Sequence, residues 1–252
     1  MHSLERGGGS FNAGGLFYAL GLSRQKSGFT LAEVLIALGV IGVVAAMTLP
    51  ALVTNYKGNI LETQLQKSYS VIQNALQMMN NEQGFVAKPG SYAQRTFIST
   101  YKKYLLVASD CNSDECESRY EENEDGDSVM TNNSSNYKTY NNKKLNNQYL
   151  DDGQLILPDG SFIMVQNENT TLNGTILISV DVNGIYKKPN RWGHDLFTFQ
   201  IMDDGKLLPM GGDGTLFDNN TYCSVTSSSS INGIACTYRA LTEKGYFKNL
   251  PK

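Results

Sequence analysis

Apolar positions run almost without a break from Phe29 to Val53, and the only ionisable side chain among them is Glu33. A run of roughly 25 residues is long enough to cross a bilayer as a helix at about 1.5 Å per residue. Beyond it the pattern changes. Leu61, Leu65, Tyr69, Ile72, Leu76 and Met79 recur every three or four residues with Glu62, Gln66, Lys67, Gln73 and Asn80 between them, which predicts an amphipathic helix with one buried stripe. The two stretches read as one helix from Phe29 to about Asn80, roughly 78 Å long, kinked near Pro50 and softened near Gly58. A shorter helix is predicted over 92–107, with Phe97, Tyr101, Tyr104 and Leu105 on a common face.

The second half of the chain alternates on the shorter period of strands. Leu155-Ile156-Leu157 and Phe162-Ile163-Met164-Val165 flank Pro158-Asp159-Gly160, a hairpin signal in which proline, aspartate and glycine each favour the turn. A third strand is predicted over 175–182 and a fourth over 196–202, returning after Asp203-Asp204-Gly205 through Lys206-Leu207-Leu208. Between the short helix and the first strand, residues 110–151 are polar and asparagine-rich and read as an exposed loop. The acidic run 121–127 lacks the closing glutamate of an EF-hand loop and reads as solvated. The expected fold class is α+β: a long N-terminal helix whose second half packs on a C-terminal antiparallel sheet.

Glu33 is the position that an ordinary core or membrane helix does not explain. A carboxylate within a membrane helix costs roughly 2.5–3.5 kcal/mol on insertion scales and calls for a partner, most simply an amine. Cleavage before Phe29 creates one, an α-amino group at the head of the helix, where the partial positive charge of the helix N-terminus also lies. In a bundle of identical helices, Glu33 of one subunit paired with the Phe29 amine of another compensates two charges and fixes the axial stagger.

The stretch Ser27-Gly28-Phe29-Thr30-Leu31-Ala32-Glu33-Val34, followed by Pro50, resembles the class III signal of type IV pilins and of type II secretion pseudopilins. The resemblance implies cleavage after Gly28 by a membrane prepilin peptidase, N-methylation of Phe29, and roles for Glu33 and Pro50 in assembly. It implies three segments: a leader over 1–28, a membrane-spanning and filament-core half-helix over 29–53, and an extracytoplasmic pilin-like domain over 54–252. The implied partners are identical or related pilin subunits, the peptidase and methylase, and an inner-membrane assembly platform. The implied localisation is a single-pass inner-membrane precursor, then a periplasmic or surface filament.

Two plainer readings compete. A secretory signal would use Arg24 and Lys26 as its basic region and Val44-Ala45-Ala46 as its cleavage site, but a glutamate at the head of the apolar run disfavours it. A simple single-pass anchor, carrying an extracytoplasmic binding or adhesion module, explains the length of the run but not Gly28-Phe29 followed by Glu33. Arg24 and Lys26 place the leader on the cytoplasmic side under either membrane reading.

Composition narrows the function classes. Of 252 residues 18% are charged and the net charge is −3, which gives no clustered cations for nucleic acid. Four cysteines form two local groups without CxxC spacing, and the natural reading in an oxidising compartment is Cys111–Cys116 and Cys223–Cys236, among the three connectivities that four cysteines allow. Asp181, Asn183 and Asp195 are the candidate ligands for a structural calcium, since pseudopilin-like chains carry similar Asp-x-Asn-Gly and Pro-Asn-x-x-Gly-x-Asp segments; the competing role is Asx-turns that cap tight connections. His194 has no second histidine or cysteine near it, which argues against zinc. Nothing resembles a nucleophile–base arrangement or a phosphate-binding loop, and no enzymatic activity is expected.

Overall fold

The computed structural model describes residues 28–111, 116, 118–122, 128–132, 137–168, 172 and 174–251. The leader over 1–27, Arg24 and Lys26 included, and most of the acidic run lie outside the described residues. The chain divides into two units, Met1–Thr48 and Leu49–Lys252. One helix, α1 (Leu31–Gln83), contributes to both and contains Pro50.

In the first unit the side chains of α1 are exposed, among them Leu35, Ile36, Leu38, Ile41 and Val43. Leu31–Pro50 is a helix long and apolar enough to cross a membrane. The one hydroxyl near its end is satisfied within the helix: Thr48 Oγ1 donates to the Val44 carbonyl at 3.0 Å.

In the second unit, α1 buries the predicted stripe. Leu65, Ile72, Ala75, Leu76 and Met79 are buried, with Leu61 and Tyr69 packed beside them. They meet one face of a six-stranded sheet through residues such as Ile163, Val165, Ile178, Val180 and Phe199. Tyr69 stacks on Phe199 with ring centroids 5.0 Å apart, and Tyr101 donates its hydroxyl to the Ile72 carbonyl at 2.7 Å.

The sheet comprises β1 (Ser109–Asp110), β4 (Gly153–Ile156), β5 (Phe162–Asn167), β6 (Ile176–Asp181), β7 (Leu196–Ile201) and β8 (Leu207–Pro209), in that order and antiparallel throughout. β2 (Ser118–Glu122) and β3 (Ser128–Asn132) form a separate two-stranded ribbon. This is the α+β, pilin-like architecture expected from the sequence. The turn between β4 and β5 uses the expected chemistry: Asp159 Oδ1 accepts from the Ser161 backbone N–H, and Gly160 adopts a φ of 86° that costs a glycine little.

Three expectations are corrected. Residues 92–107 do not form one helix; α2 (Phe97–Tyr101) is followed by a 3-10 turn at Lys102–Tyr104. Arg95 sits at a φ of 62°, with its N–H on the Asn167 carbonyl and its Nε 2.8 Å from Asp152, and this breaks the helix upstream. Strands begin before Leu155, with β1 and with Gly153. Residues 110–151 are not simply an exposed loop, because Tyr137, Tyr140, Leu145 and Leu150 are buried. These isolated anchors have neither helical nor strand period, which is why periodicity passes over them. Tyr137, Leu145 and Leu150 hold a second layer, with Trp192, Met210, Phe217 and Ile234, against the face of the sheet opposite α1, while Tyr140 packs with the cluster on the α1 side. Consequently every residue of β5, β6 and β7 is buried.

The C-terminal region contributes to both clusters, Ile231, Ile234 and Ala235 to the second layer and Cys223, Cys236, Ala240, Tyr246 and Phe247 to the core shared with α1. Cys223 follows α3 (Asn219–Tyr222), Cys236 opens α4 (Cys236–Thr242), and the two are joined, closing a loop that stabilises the fold by about 3 kcal/mol in the chain-entropy account. Cys111 and Cys116 are joined as well. Past α4 the chain returns to α1 at Gly58. A Cβ there would lie 3.2 Å from the Phe247 carbonyl oxygen and 3.3 Å from its Cβ, so a glycine permits this close approach.

Candidate functional site

The head of α1 presents a short stub before the helix begins. Gly28, Phe29 and Thr30 are non-helical and exposed, and among the described residues nothing lies within 4 Å of where a Gly28 Cβ would be. Thr30 is the cap of the helix, its carbonyl accepting from Val34 N–H at 3.2 Å. Thr30 N–H and Oγ1 both donate to Glu33 Oε2, at 2.8 and 2.9 Å, while Thr30 Oγ1 accepts from Glu33 N–H at 3.2 Å. This reciprocal exchange is a capping box, whose sequence signal is a threonine followed three residues later by a glutamate. Both members lie on the C-terminal side of the expected cut and survive it. Glu33 thus has a partner inside its own chain, within one turn of the Phe29 nitrogen. Pro50 lies within the helix, seventeen positions along from Glu33.

The other candidate residues come together at the end of β6. Asp181 is the last residue of β6 and Asp195 directly precedes β7, where Asp181 pairs with Leu196. Asp181 Oδ1 accepts from the N–H groups of Asn183 and Gly184, at 3.2 and 2.9 Å, and Oδ2 from the Tyr137 hydroxyl at 2.7 Å. Asp195 Oδ2 accepts from Asn190 N–H at 2.8 Å and Oδ1 from Arg191 N–H at 2.7 Å. Both carboxyls are fully buried. Burial and then the neighbouring Asp195 charge push Asp181 well above the usual carboxylate range, and burial raises Asp195 as well. The cluster pins the β6–β7 loop at both ends, and Asn190 Nδ2 ties its middle by donating to the Ile185 carbonyl at 2.8 Å.

This arrangement does not suit a hard cation. Calcium takes six to eight oxygens, whereas each oxygen of the two carboxyls already faces an N–H or O–H whose positive end repels a cation. Two amide oxygens, Asn183 Oδ1 and Asn190 Oδ1, are buried without a hydrogen-bond partner, but they are neutral and too few to complete a shell. Among the described residues no three His, Cys, Asp or Glu side chains gather as a metal-binding group. Adding calcium, or removing it with a chelator, is expected to leave the unfolding midpoint unchanged; a calcium-dependent rise of several degrees would return these residues to the ligand role.

His194 is buried beside this cluster, its Nε2 3.2 Å from the Tyr140 carbonyl. Burial, with the nearby Arg191 guanidinium, lowers it to about 4, so the ring is neutral at physiological pH. Asp195 spends its oxygens on backbone N–H groups, and the pair is not arranged as a base and its orienting acid.

The structure thus defines a chain with a capped, glutamate-bearing apolar helix and a sheet-backed α+β unit. A family model described as the prokaryotic N-terminal methylation motif matches residues 23–49, and this motif is the signal of type IV pilins and pseudopilins. No curated protein and no solved structure matches the chain.

Proposed function

We propose that this chain is the precursor of a structural subunit of a type IV pilus or type II secretion pseudopilus. The single observation that carries the reading is Glu33, a lone carboxylate at the head of an exposed apolar helix, the fifth residue after the Gly28–Phe29 bond and inside the matched motif. In this reading residues 1–28 are the leader, 29–53 hold the precursor in the inner membrane and later form the filament core, and 54–252 are the extracytoplasmic domain. A prepilin peptidase cuts after Gly28, a methylase modifies Phe29, and an inner-membrane platform extracts the subunit. Burial of apolar helix against neighbouring subunits then replaces contact with lipid. The work is mechanical rather than enzymatic.

The test is mass spectrometry of the N-terminus of protein recovered from membranes and from sheared surface material. The expected species begins at N-methyl-Phe29. An intact leader would leave a membrane-anchored binding module as the reading, and a start after Ala46 an exported soluble protein; either result removes the filament reading.

A further inference from the structure

The second unit carries a groove of about 470 Å³ beside the first turns of α1 that follow the apolar run. Lys57, Ile60 and Leu61 of α1 form one wall, and Lys187, Lys188 and Pro189 of the β6–β7 loop form the other. Three of its lining residues are cationic and none is acidic, and the three lysines are exposed. Each cationic edge is preceded in the chain by an exposed tyrosine: Tyr56 is 67% exposed and Tyr186 69%.

We propose that this groove is a footing for anionic phospholipid headgroups at the outer surface of the membrane that holds the precursor. Three arguments support lipid as the occupant. Lys57 lies four residues, about 6 Å of helical rise, beyond Val53, the last residue of the apolar run, which is the depth of the headgroup layer. Tyrosine next to lysine is the composition of a membrane interface, where the ring sits at headgroup level and the ammonium reaches a phosphate. The groove sets three lysines beside the apolar Ile60, Leu61 and Pro189 and the neutral amides of Gln64 and Asn183, a lining complementary to the phosphate and glycerol region of an anionic phospholipid. The loop wall is also held in place: Asp181 binds the N–H groups of Asn183 and Gly184, Asp195 those of Asn190 and Arg191, and Lys187 N–H bonds the Gly184 carbonyl at 2.9 Å. The lysines are therefore displayed on a fixed support.

The inference rests on the membrane-anchored reading above, and the test separates the two. Full-length protein is reconstituted in vesicles of phosphatidylcholine alone or with a quarter of phosphatidylglycerol, floated, and treated with a membrane-impermeant lysine reagent followed by peptide mass spectrometry. Exposed Lys88 and Lys103 serve as internal references. The expected result is that labelling of Lys57, Lys187 and Lys188, relative to the references, falls by about threefold or more in the anionic vesicles and recovers in roughly 0.5 M NaCl. Equal labelling in the two vesicle types, with normal flotation, overturns the footing and leaves the anchor standing. Protection of the same lysines by inorganic phosphate in neutral vesicles would assign the groove to free anions and likewise overturn it. Failure to float with either vesicle removes the anchor and the footing together.

Discussion

Substituting Glu33 with alanine is expected to abolish filament formation while leaving membrane insertion intact. Insertion should not suffer, because the substitution removes a charge from an apolar helix. Assembly should suffer because the neighbour's Phe29 amine loses its counter-charge and the stagger loses its reference. The capping box complicates a simple reading of alanine, since loss of the cap alone costs roughly 0.5–2 kcal/mol of helix stability. Two further substitutions separate the roles. Glu33→Gln retains an acceptor suited to the box but carries no charge, and Thr30→Val removes the hydroxyl while keeping the carboxylate. If charge governs assembly, Glu33→Gln fails as Glu33→Ala does, and Thr30→Val still assembles. Immunoblots of membrane and sheared fractions give the answer, and undiminished sheared material from Glu33→Ala would sink the stagger argument.

Asp181→Asn is expected to be tolerated, and to stabilise the protein increasingly as pH rises. The asparagine Oδ1 can keep the Asn183 and Gly184 N–H bonds, and its Nδ2 can donate to the Tyr137 oxygen, which reverses its role from donor to acceptor. The sign of the pH effect follows from linkage. A carboxyl raised in the folded state keeps a proton that the unfolded chain releases above its ordinary value near 3.8, so folding stability falls as pH climbs above about 4 until the folded carboxyl itself ionises. Removing that titration removes the fall. Variant and wild type should match below about pH 4, and the variant should lead by about 1 kcal/mol or more at pH 8.

Asp181→Ala instead strands three donors, at about 1–3 kcal/mol for each buried one. Asp195→Asn turns an amide N–H towards a backbone N–H, since both Asp195 oxygens are acceptors, and should destabilise at every pH. Urea unfolding followed through the single, buried Trp192 reports all of these. His194 acts at the other end of the scale: being lowered to about 4, it withdraws stability as pH falls from about 6.5 through 4. If Asp181→Asn were as damaging as Asp181→Ala, the proposed reversal at Tyr137 would be wrong.

The helix and the meander were legible because their side chains obey a period. Leu65, Ile72, Leu76 and Met79 mark a helical stripe, and β5, β6 and β7 begin and end within two residues of the sequence reading. What periodicity could not show was the layer on the far side of the sheet. Tyr137, Leu145, Leu150, Trp192 and Ile234 belong to irregular segments, which are tied to distant parts of the chain by hydrogen bonds such as Tyr140 N–H to the Asn232 carbonyl at 2.8 Å and Trp192 N–H to the Lys138 carbonyl at 3.0 Å. The site was legible to a similar degree. Asp181 and Asp195 were singled out as oxygen donors, yet whether such oxygens face a cation or an N–H depends on the local path of the backbone, which residue types do not encode. Arg95 shows the same limit: nothing in its identity announces a positive φ.

The contact between Gly58 and Phe247 has a mechanical meaning. Under the proposed filament role, a subunit drawn out of a membrane by its neighbours would be pulled through α1, and the load would reach the folded unit at its first buried turn. There the C-terminal segment lies across the helix, and beyond it Leu65, Ile72 and Met79 grip the sheet in series. A pull along that axis loads these contacts in shear, in which they must yield together, whereas a peeling pull would release them one at a time. The tail of the chain acts as a clasp at the point where tension enters.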